Sequence, residues 1–282
     1  MENRPSLLVL LPTSLVSDAE DLQQKTAKIG VVGRALAIFC VRKVCIYDDF
    51  DPHVKNQERE SLLISTLLRY METPQYLRKL LFPHMAELTK AGVLPPLRTP
   101  HHPSACERMS RGDVREGVVV EAFEDHSLLE IGLKKMARLQ AKLPLKTRCS
   151  VRIIGKTKKH FLVEQVSRDE IPEYWGYEVI RAKNLKAGLR LLKADYALGT
   201  SKFGNDLKPA IEMIKKRGTR TIAVAFGGPY AGLHEICRRQ GINPEKTFDG
   251  MVNTIKGQGT STVRTEEALL ATLALLNDHL RG

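Results

Sequence analysis

Three glycine-containing segments in the C-terminal half each follow a strand-like run: "LGTSKFG" (198–204), "FGGPYAGL" (226–233) and "NTIKGQGTSTVRTEEA" (253–268). Glycine lets backbone N–H and C=O groups come close to a ligand. Thr200, Ser201, Asn253 and Gln258 add neutral hydrogen-bonding groups. In an open parallel sheet, ligands collect beyond the carboxyl ends of the strands, so three such loops can converge on one pocket. No lysine stands inside a phosphate-cradling loop, and the pocket therefore suits a nucleoside better than a triphosphate. Taken singly, each segment is equally readable as a plain turn or, at Thr265-Glu266-Glu267, as a helix start.

Other signatures fail on inspection. "SVRIIGKT" ends like a P-loop, but Ser150 stands where the first glycine must be. "GTSKF" lacks the closing glycine of a nucleophile elbow. "HHPSAC" offers His101, His102 and Cys106, yet adjacent histidines do not easily share one tetrahedral centre and no second ligand cluster follows, so an exposed loop is expected and no metal. A GxGxxG dinucleotide fingerprint is absent.

The elements that must position the three loops follow from periodicity. "SLLVLL" and "KVCIYDD" are short apolar runs of the kind buried in parallel sheets. Between them, Ser17 with Glu20 makes a capping box for a helix running to about Val41. Residues 57–71 and 74–90 carry helical amphipathicity, split at Thr73-Pro74. Four prolines, Pro95, Pro96, Pro100 and Pro103, then mark a linker. "REGVVVEAF", "SLLEIGL", "RCSVRII" and "HFLVEQV" follow as four short strands, which predicts a small β-barrel of oligonucleotide-binding type. From Trp175 onward strands alternate with helices at 206–217, 230–240 and 264–280, the pattern of a parallel sheet. The expected organisation is one α/β domain, residues 1–89 and 169–282, interrupted by a barrel at 90–168.

Composition sets the class of partner. The chain has 282 residues with a net charge of +12, and residues 90–168 hold 16 Lys/Arg against 8 Asp/Glu. Positive charge concentrated on one segment favours a polyanion such as RNA. Five scattered cysteines without a CxxC pair argue against a disulfide framework, which points to a reducing, cytoplasmic setting. No apolar run has the length of a membrane span.

Taken in order, "RALAIFCV", "VCIYDD", "YMETPQYLRKLLFP", "AGVLPPLRTPHH", "ALGTSKFG", "FGGPYAGL" and "NTIKGQGTSTVRTEEALL" resemble the archaeal and eukaryotic branch of SPOUT RNA methyltransferases that carry an inserted OB-like domain. The resemblance spans nearly the whole chain. It implies an α/β fold tied into a trefoil knot, a homodimer, and S-adenosylmethionine held in the knot loops, with no metal. Carried onto this sequence, cofactor contacts fall on Thr200, Ser201, Phe226, Gly227, Gly228, Gly232, Asn253, Thr254, Gln258, Gly259, Thr260 and Arg264.

Arg34, on the first helix, is similar to an arginine that related enzymes bring near the reaction, and Arg264 and Glu266 lie nearest the knot. The plain alternatives are phosphate binding by Arg34 and a helix N-terminal role for Glu266. In the insert, Lys134, Lys135, Lys142, Lys146, Arg148, Arg152, Lys156, Lys158 and Lys159 are candidates to track RNA phosphates. Phe161 is expected in the barrel core rather than stacked on a base. The expected activity is methylation of RNA, ribosomal RNA first, at a base rather than a ribose hydroxyl. The competing expectation is a non-catalytic RNA-binding or ribosome-assembly protein that keeps the fold.

Overall fold

Water expels continuous apolar runs onto both faces of a sheet, and the first such run, β1 (Ser6–Pro12), is buried almost throughout. A computed structural model describes residues 5–103 and 109–281. After β1, a 3₁₀ turn (Thr13–Val16) leads into α1 (Leu22–Ile38). The cap of α1 is Asp21, whose Oδ1 accepts from the Gln24 amide at 2.8 Å. The expected Ser17–Glu20 box does not form, because Ser17 Oγ donates instead to the Ser14 carbonyl and closes the turn. The chain continues through β2 (Lys43–Tyr47), α2 (Gln57–Glu72) and α3 (Gln75–Leu81). α3 stops well short of residue 90: Pro83 disfavours helical backbone at Phe82, which is extended.

The barrel has five strands, β3 (Val114–Ala122), β4 (Ser127–Glu130), β5 (Ala137–Leu139), β6 (Arg148–Lys156) and β7 (Phe161–Gln165), closed in the order β3-β4-β5-β7-β6. β5, three residues long, is the strand the sequence pattern did not reveal. Closure removes every exposed strand edge. Val119, Leu129, Ile131, Val151 and Val163 fill the interior, and Phe161 packs partly buried against them, as anticipated.

The α/β alternation resumes after Trp175, as expected, and opens with a strand and helix that the sequence pattern did not single out, β8 (Glu178–Ala182) and α4 (Leu185–Leu192). Then follow β9 (Tyr196–Asn205), α5 (Leu207–Lys216), β10 (Thr221–Ala225), α6 (Leu233–Arg239), the short α7 (Pro244–Thr247), β11 (Gly250–Val252) and α8 (Thr265–Arg281). Six parallel strands form one sheet in the order β11-β9-β10-β1-β2-β8. Its carboxyl ends all lie on one edge. The chain divides into two compact units, residues 1–71, 87–96 and 177–282 around the sheet, and residues 72–86 and 97–176 around the barrel. Among the described residues, no helix is long and apolar enough to cross a membrane.

The barrel unit has its own polar core. Glu72 and Glu116 are buried carboxylates that share Arg148: its Nη1 lies 2.6 Å from Glu72 Oε2 and its Nε 2.5 Å from Glu116 Oε2. Arg168 adds a contact to Glu72 at 3.1 Å. The Ser150 hydroxyl and the Trp175 indole N–H donate to Glu116 Oε1, the indole at 2.7 Å. His101 and His102, expected in an exposed loop, both donate through Nε2 to the Glu72 carbonyl, and His101 is fully buried. Cys106 lies outside the described residues.

Burial alone would raise the carboxyl of Glu72, but Arg148, the His101 hydrogen bond and Arg168 hold it down to about 2. The same cations and Ser150 hold Glu116 low against its own burial. Carboxyls depressed on folding add stability above their unfolded range, and that stability is lost as pH falls toward the folded value. Acidification from pH 4.5 toward 2 is therefore expected to loosen the barrel unit. Trp175, the single tryptophan, reports it. Its emission should shift to the red in this window, and an unchanged spectrum down to pH 2 would contradict the assignment.

Candidate active site at the carboxyl edge of the sheet

The three glycine-containing segments meet. β9 pairs with β11 at Leu198 and Gly199, leaves that ladder, and rejoins it at Asn205 opposite Val252. Residues 200–204 therefore arch out from the sheet as an extended bulge rather than a free loop. The Asn253 amide donates to the Asn205 carbonyl at 2.8 Å, and the Asn253 side chain donates to the Lys202 carbonyl at 2.9 Å. Gly204 is required there, since a Cβ would lie 2.4 Å from the Val252 carbonyl carbon. The Thr200 hydroxyl holds the bulge to the end of β10 through the Ala225 carbonyl at 2.9 Å. The Thr265 hydroxyl, at the start of α8, donates to the Gly227 carbonyl at 2.9 Å. Thr254 and Thr272 meet through their hydroxyls at 2.8 Å, fixing the last segment to α8.

These ties enclose a cavity of about 380 Å³, within the range of small-molecule sites. Thr200, Ser201, Phe226, Gly227, Gly228, Gly232, Asn253, Thr254 and Gln258 all line it. Gly259, Thr260 and Arg264 do not, although their neighbours Ser261, Thr262, Val263 and Thr265 do. Gln258 turns onto its own segment, donating to the Thr260 carbonyl at 2.9 Å. α6 adds Glu235 and Arg238 to the wall, which contact each other. Phe203 and Tyr230 stand at the cavity with 77% and 53% of their surface exposed, so two aromatic rings are available to a planar group.

Arg34 donates from Nη1 to the Pro96 carbonyl at 3.3 Å. Glu266 faces Lys28 of α1 at 3.1 Å, and Lys28 also holds Asp18 at 2.6 Å. Arg148 is committed to the buried carboxylates of the barrel unit. Arg152 pairs with Glu164 at 3.2 Å. Lys134, Lys135, Lys142, Lys146, Lys156, Lys158 and Lys159 are exposed. Lys135 Nζ donates to the Thr157 carbonyl at 3.3 Å, which brings 134–135 and 156–159 to one end of the barrel.

Two features beside the cavity carry no sequence signature. Asp49 is fully buried with its Oδ1 accepting from the Ser14 amide at 3.2 Å, while Oδ2 and Ser14 Oγ find no partner among the described residues. Burial raises its carboxyl, against the hydrogen bond from the Ser14 amide. A Cβ on Gly228 would stand 2.1 Å from Ser14 Oγ and 3.7 Å from Asp49 Oδ2. Next along the loop, His53 stacks on Tyr230 with ring centroids 4.0 Å apart. His53 Nδ1 lies 2.8 Å from Oδ1 of the buried Asp51. Arg239 holds the other side, with Nη1 3.1 Å from the Asp49 carbonyl and 3.5 Å from Asp51 Oδ2. Burial pushes Asp51 up, but the His53 amide and ring and Arg239 outweigh it and keep the carboxyl below the usual range.

The chain thus joins a parallel α/β sheet, with a cavity beyond its carboxyl edge where such sheets hold ligands, to a basic five-stranded barrel of a kind that binds oligonucleotides in other proteins. The family model described as "Putative RNA methyltransferase" matches residues 6–276, and the chain belongs to this methyltransferase family. It is similar to the 28S rRNA (uridine-N(3))-methyltransferase of Mus musculus, at 34% identity over 99% of this chain and 78% of that protein. The human protein of the same name is 33% identical over 98% of this chain and 78% of its own length. An uncharacterized protein of Halobacterium salinarum is 32% identical over 95% of this chain and 97% of that protein.

The loop glycines differ in what they tolerate. A Cβ at Gly227 would meet backbone atoms of Gly232, Ala231 and Leu233 at 2.8–3.0 Å, whereas one at Gly232 meets nothing within 4 Å. Gly227→Ala should cost about 1–3 kcal/mol in denaturant unfolding, and Gly232→Ala should be close to neutral. Equal effects would mean that this loop is free to rearrange.

Proposed function

We propose that this protein transfers a methyl group from S-adenosylmethionine to N3 of a uridine in large-subunit ribosomal RNA. The observation that carries the reading is the near full-length likeness to two proteins named for that reaction. The cavity supports it, being of suitable size and lined by both glycine backbone and hydroxyl groups. Glu235 and the hydroxyls of Thr200 and Ser201 are the groups proposed to hold the cofactor's ribose and amino-acid parts, and the backbone of 226–228 and 253–262 its base. When bound, S-adenosylmethionine supplies an activated methyl group.

The residues of this chain then have three tasks: to hold the uracil, to take its proton, and to offset developing charge. Uracil N3 carries a hydrogen that must leave for the nitrogen to act as nucleophile. His53 is the proposed acceptor. With its Nδ1–H donated to Asp51, its Nε2 keeps a lone pair for the N3 proton. The Asp51 carboxylate stabilises the resulting imidazolium, and Arg239 keeps that carboxylate ionised and in place. Phe203 and Tyr230 offer stacking faces for the base. Arg34 and Arg264 are proposed to act as cations toward the uracil oxygens or the flanking phosphates. To Glu266 we assign a positioning role, since its contact with Lys28 holds the start of α8 against α1.

We also propose the trefoil knot in the path from β9 to α8, and a homodimer. The dimer reading is supported by exposed apolar side chains on two helices that pack together, Val31 and Ile38 on α1 and Leu270 on α8.

The test uses labelled methyl donor, ribosomal RNA that lacks the modification, and nuclease digestion. Wild type should place label in 3-methyluridine. His53→Gln should lower turnover by about 100-fold or more while binding S-adenosylhomocysteine as tightly as wild type in calorimetry. Label in a ribose-methylated nucleotide, or cofactor binding with no transfer, would refute the reading; the second result would favour a non-catalytic RNA-binding protein.

A further inference from the structure

A second cavity, of about 540 Å³, opens on the same edge of the sheet at its other end, beyond β2 and β8. Phe50, Arg181, Lys183, Lys186, Arg190 and Gln240 are among its walls. Gln240 braces it: its carbonyl oxygen accepts from the Leu185 amide at 3.0 Å and its amide donates to the Asp48 carbonyl at 2.8 Å.

The loop that supplies Phe50 is arranged against ordinary solvation. Asp49 and Asp51 are 0% and 2% exposed, while Phe50 between them is 48% exposed. Water favours the reverse. The inversion is made by the backbone, since Phe50 has φ = 53°, a left-handed conformation uncommon for a bulky residue. Strain of this kind persists where the surrounding structure imposes it, and it gathers at ligand sites. Here it turns two carboxylates inward and presents an aromatic face at the mouth of a pocket.

The charge there is one-sided. Among the described residues, Arg181 alone of the four cations meets an acid, with Nη2 2.8 Å from Glu58 Oε1, and its Nη1 is buried without a partner there. Asp48, the other acid nearby, has its Oδ1 3.0 Å from the Thr13 hydroxyl. Lys183, Lys186 and Arg190 are exposed. An exposed aromatic ring among unpaired cations is the combination that binds single-stranded nucleic acid, the ring stacking a base and the cations meeting phosphates.

We infer that this second cavity is an RNA subsite, in which Phe50 stacks one unpaired base of the substrate strand and Lys183, Lys186 and Arg190 hold its flanking phosphates. The inference rests on the RNA reading above and adds to it. Strand spacing puts the two cavities about 15–20 Å apart along the sheet edge, so one strand of RNA can engage both. In this reading the sheet unit contributes to RNA recognition directly, in addition to whatever the barrel unit's lysines supply.

Fluorescence anisotropy of the full-length protein with a labelled single-stranded RNA of about a dozen nucleotides, across a salt series, tests this. Stacking of one base is worth roughly 5- to 150-fold in affinity. Phe50→Gly keeps the left-handed backbone free of steric cost and should weaken binding about tenfold with an unchanged salt slope. Lys186→Ala/Arg190→Ala should reduce the slope by about 1.4, the release expected for two single-strand phosphates. Both variants should bind S-adenosylhomocysteine as wild type does, which certifies the fold. Wild-type RNA affinity and slope in both variants would overturn the subsite alone. Failure of the wild-type protein to bind RNA would overturn the RNA reading and the subsite with it. An altered molar mass of the variants in light scattering, with RNA binding intact, would assign the cavity to a protein interface and overturn it as well.

Discussion

The Tyr47 hydroxyl donates to the Phe226 carbonyl at 2.6 Å, fully buried, and so joins the end of β2 to the end of β10 across β1. This bond expresses the constraint on which the sheet unit depends: its strands come from both ends of the chain and must finish together. Parallel strands each need a crossover, and all their carboxyl ends then share one edge. Because Phe226 opens the Gly227–Gly228 loop, the bond fixes where that loop leaves the sheet. Thr13 extends the tie, its hydroxyl 3.1 Å from the Tyr47 carbonyl and 3.0 Å from Asp48 Oδ1. The segment 48–53, which carries Asp49, Phe50, Asp51 and His53, is thereby anchored at its first residue.

From that anchored edge the chemistry follows by position. The bulge of β9, the glycine turn after β10 and the segment after β11 enclose the cavity, held to each other by Thr200, Thr265 and the Asn205–Asn253 contact. Most of these ties end on backbone carbonyls. They orient main chain, which leaves the cavity wall rich in peptide groups and poor in charge, a surface suited to a nucleoside. On the other side of Tyr230, buried Asp51 and Arg239 hold an imidazole at the rim. The barrel unit is organised differently, around a half-buried Arg148 shared by two buried carboxylates. That network makes Arg148 structural in this unit, and leaves the exposed lysines as the charge available to a polyanion.

Much of the sheet was legible in the sequence because buried parallel strands read as unbroken apolar runs, as in "SLLVLL" and "TIAVAF". β8 was not, since "EVIRA" is an edge strand with two charged residues and only two of its five residues are buried. β5 was too short for alternation to register. The helix cap falls on Asp21 rather than Ser17 because two adjacent turns compete for the Ser17 hydroxyl, and only the fold decides between them. In the site, glycine and small polar residues marked the three segments, and most of the residues carried over by resemblance line one cavity. The histidine site was invisible, because the stacking of His53 on Tyr230 joins segments far apart in sequence, and nothing local marks Asp51 as the buried partner of the ring. The inward carboxylates around Phe50 were invisible for another reason: nothing in "DDFDPH" announces that the acids are buried and the phenylalanine is not.

The most direct measurement is nucleoside mass spectrometry of ribosomal RNA from cells with and without this gene, with the affected position mapped by primer extension. Loss of 3-methyluridine from one large-subunit site, restored by the wild-type gene and not by the His53→Gln form, is the predicted result. Unchanged 3-methyluridine in the deletion, or restoration by the His53→Gln form at the wild-type level, would contradict the proposed reaction or its proposed proton acceptor respectively.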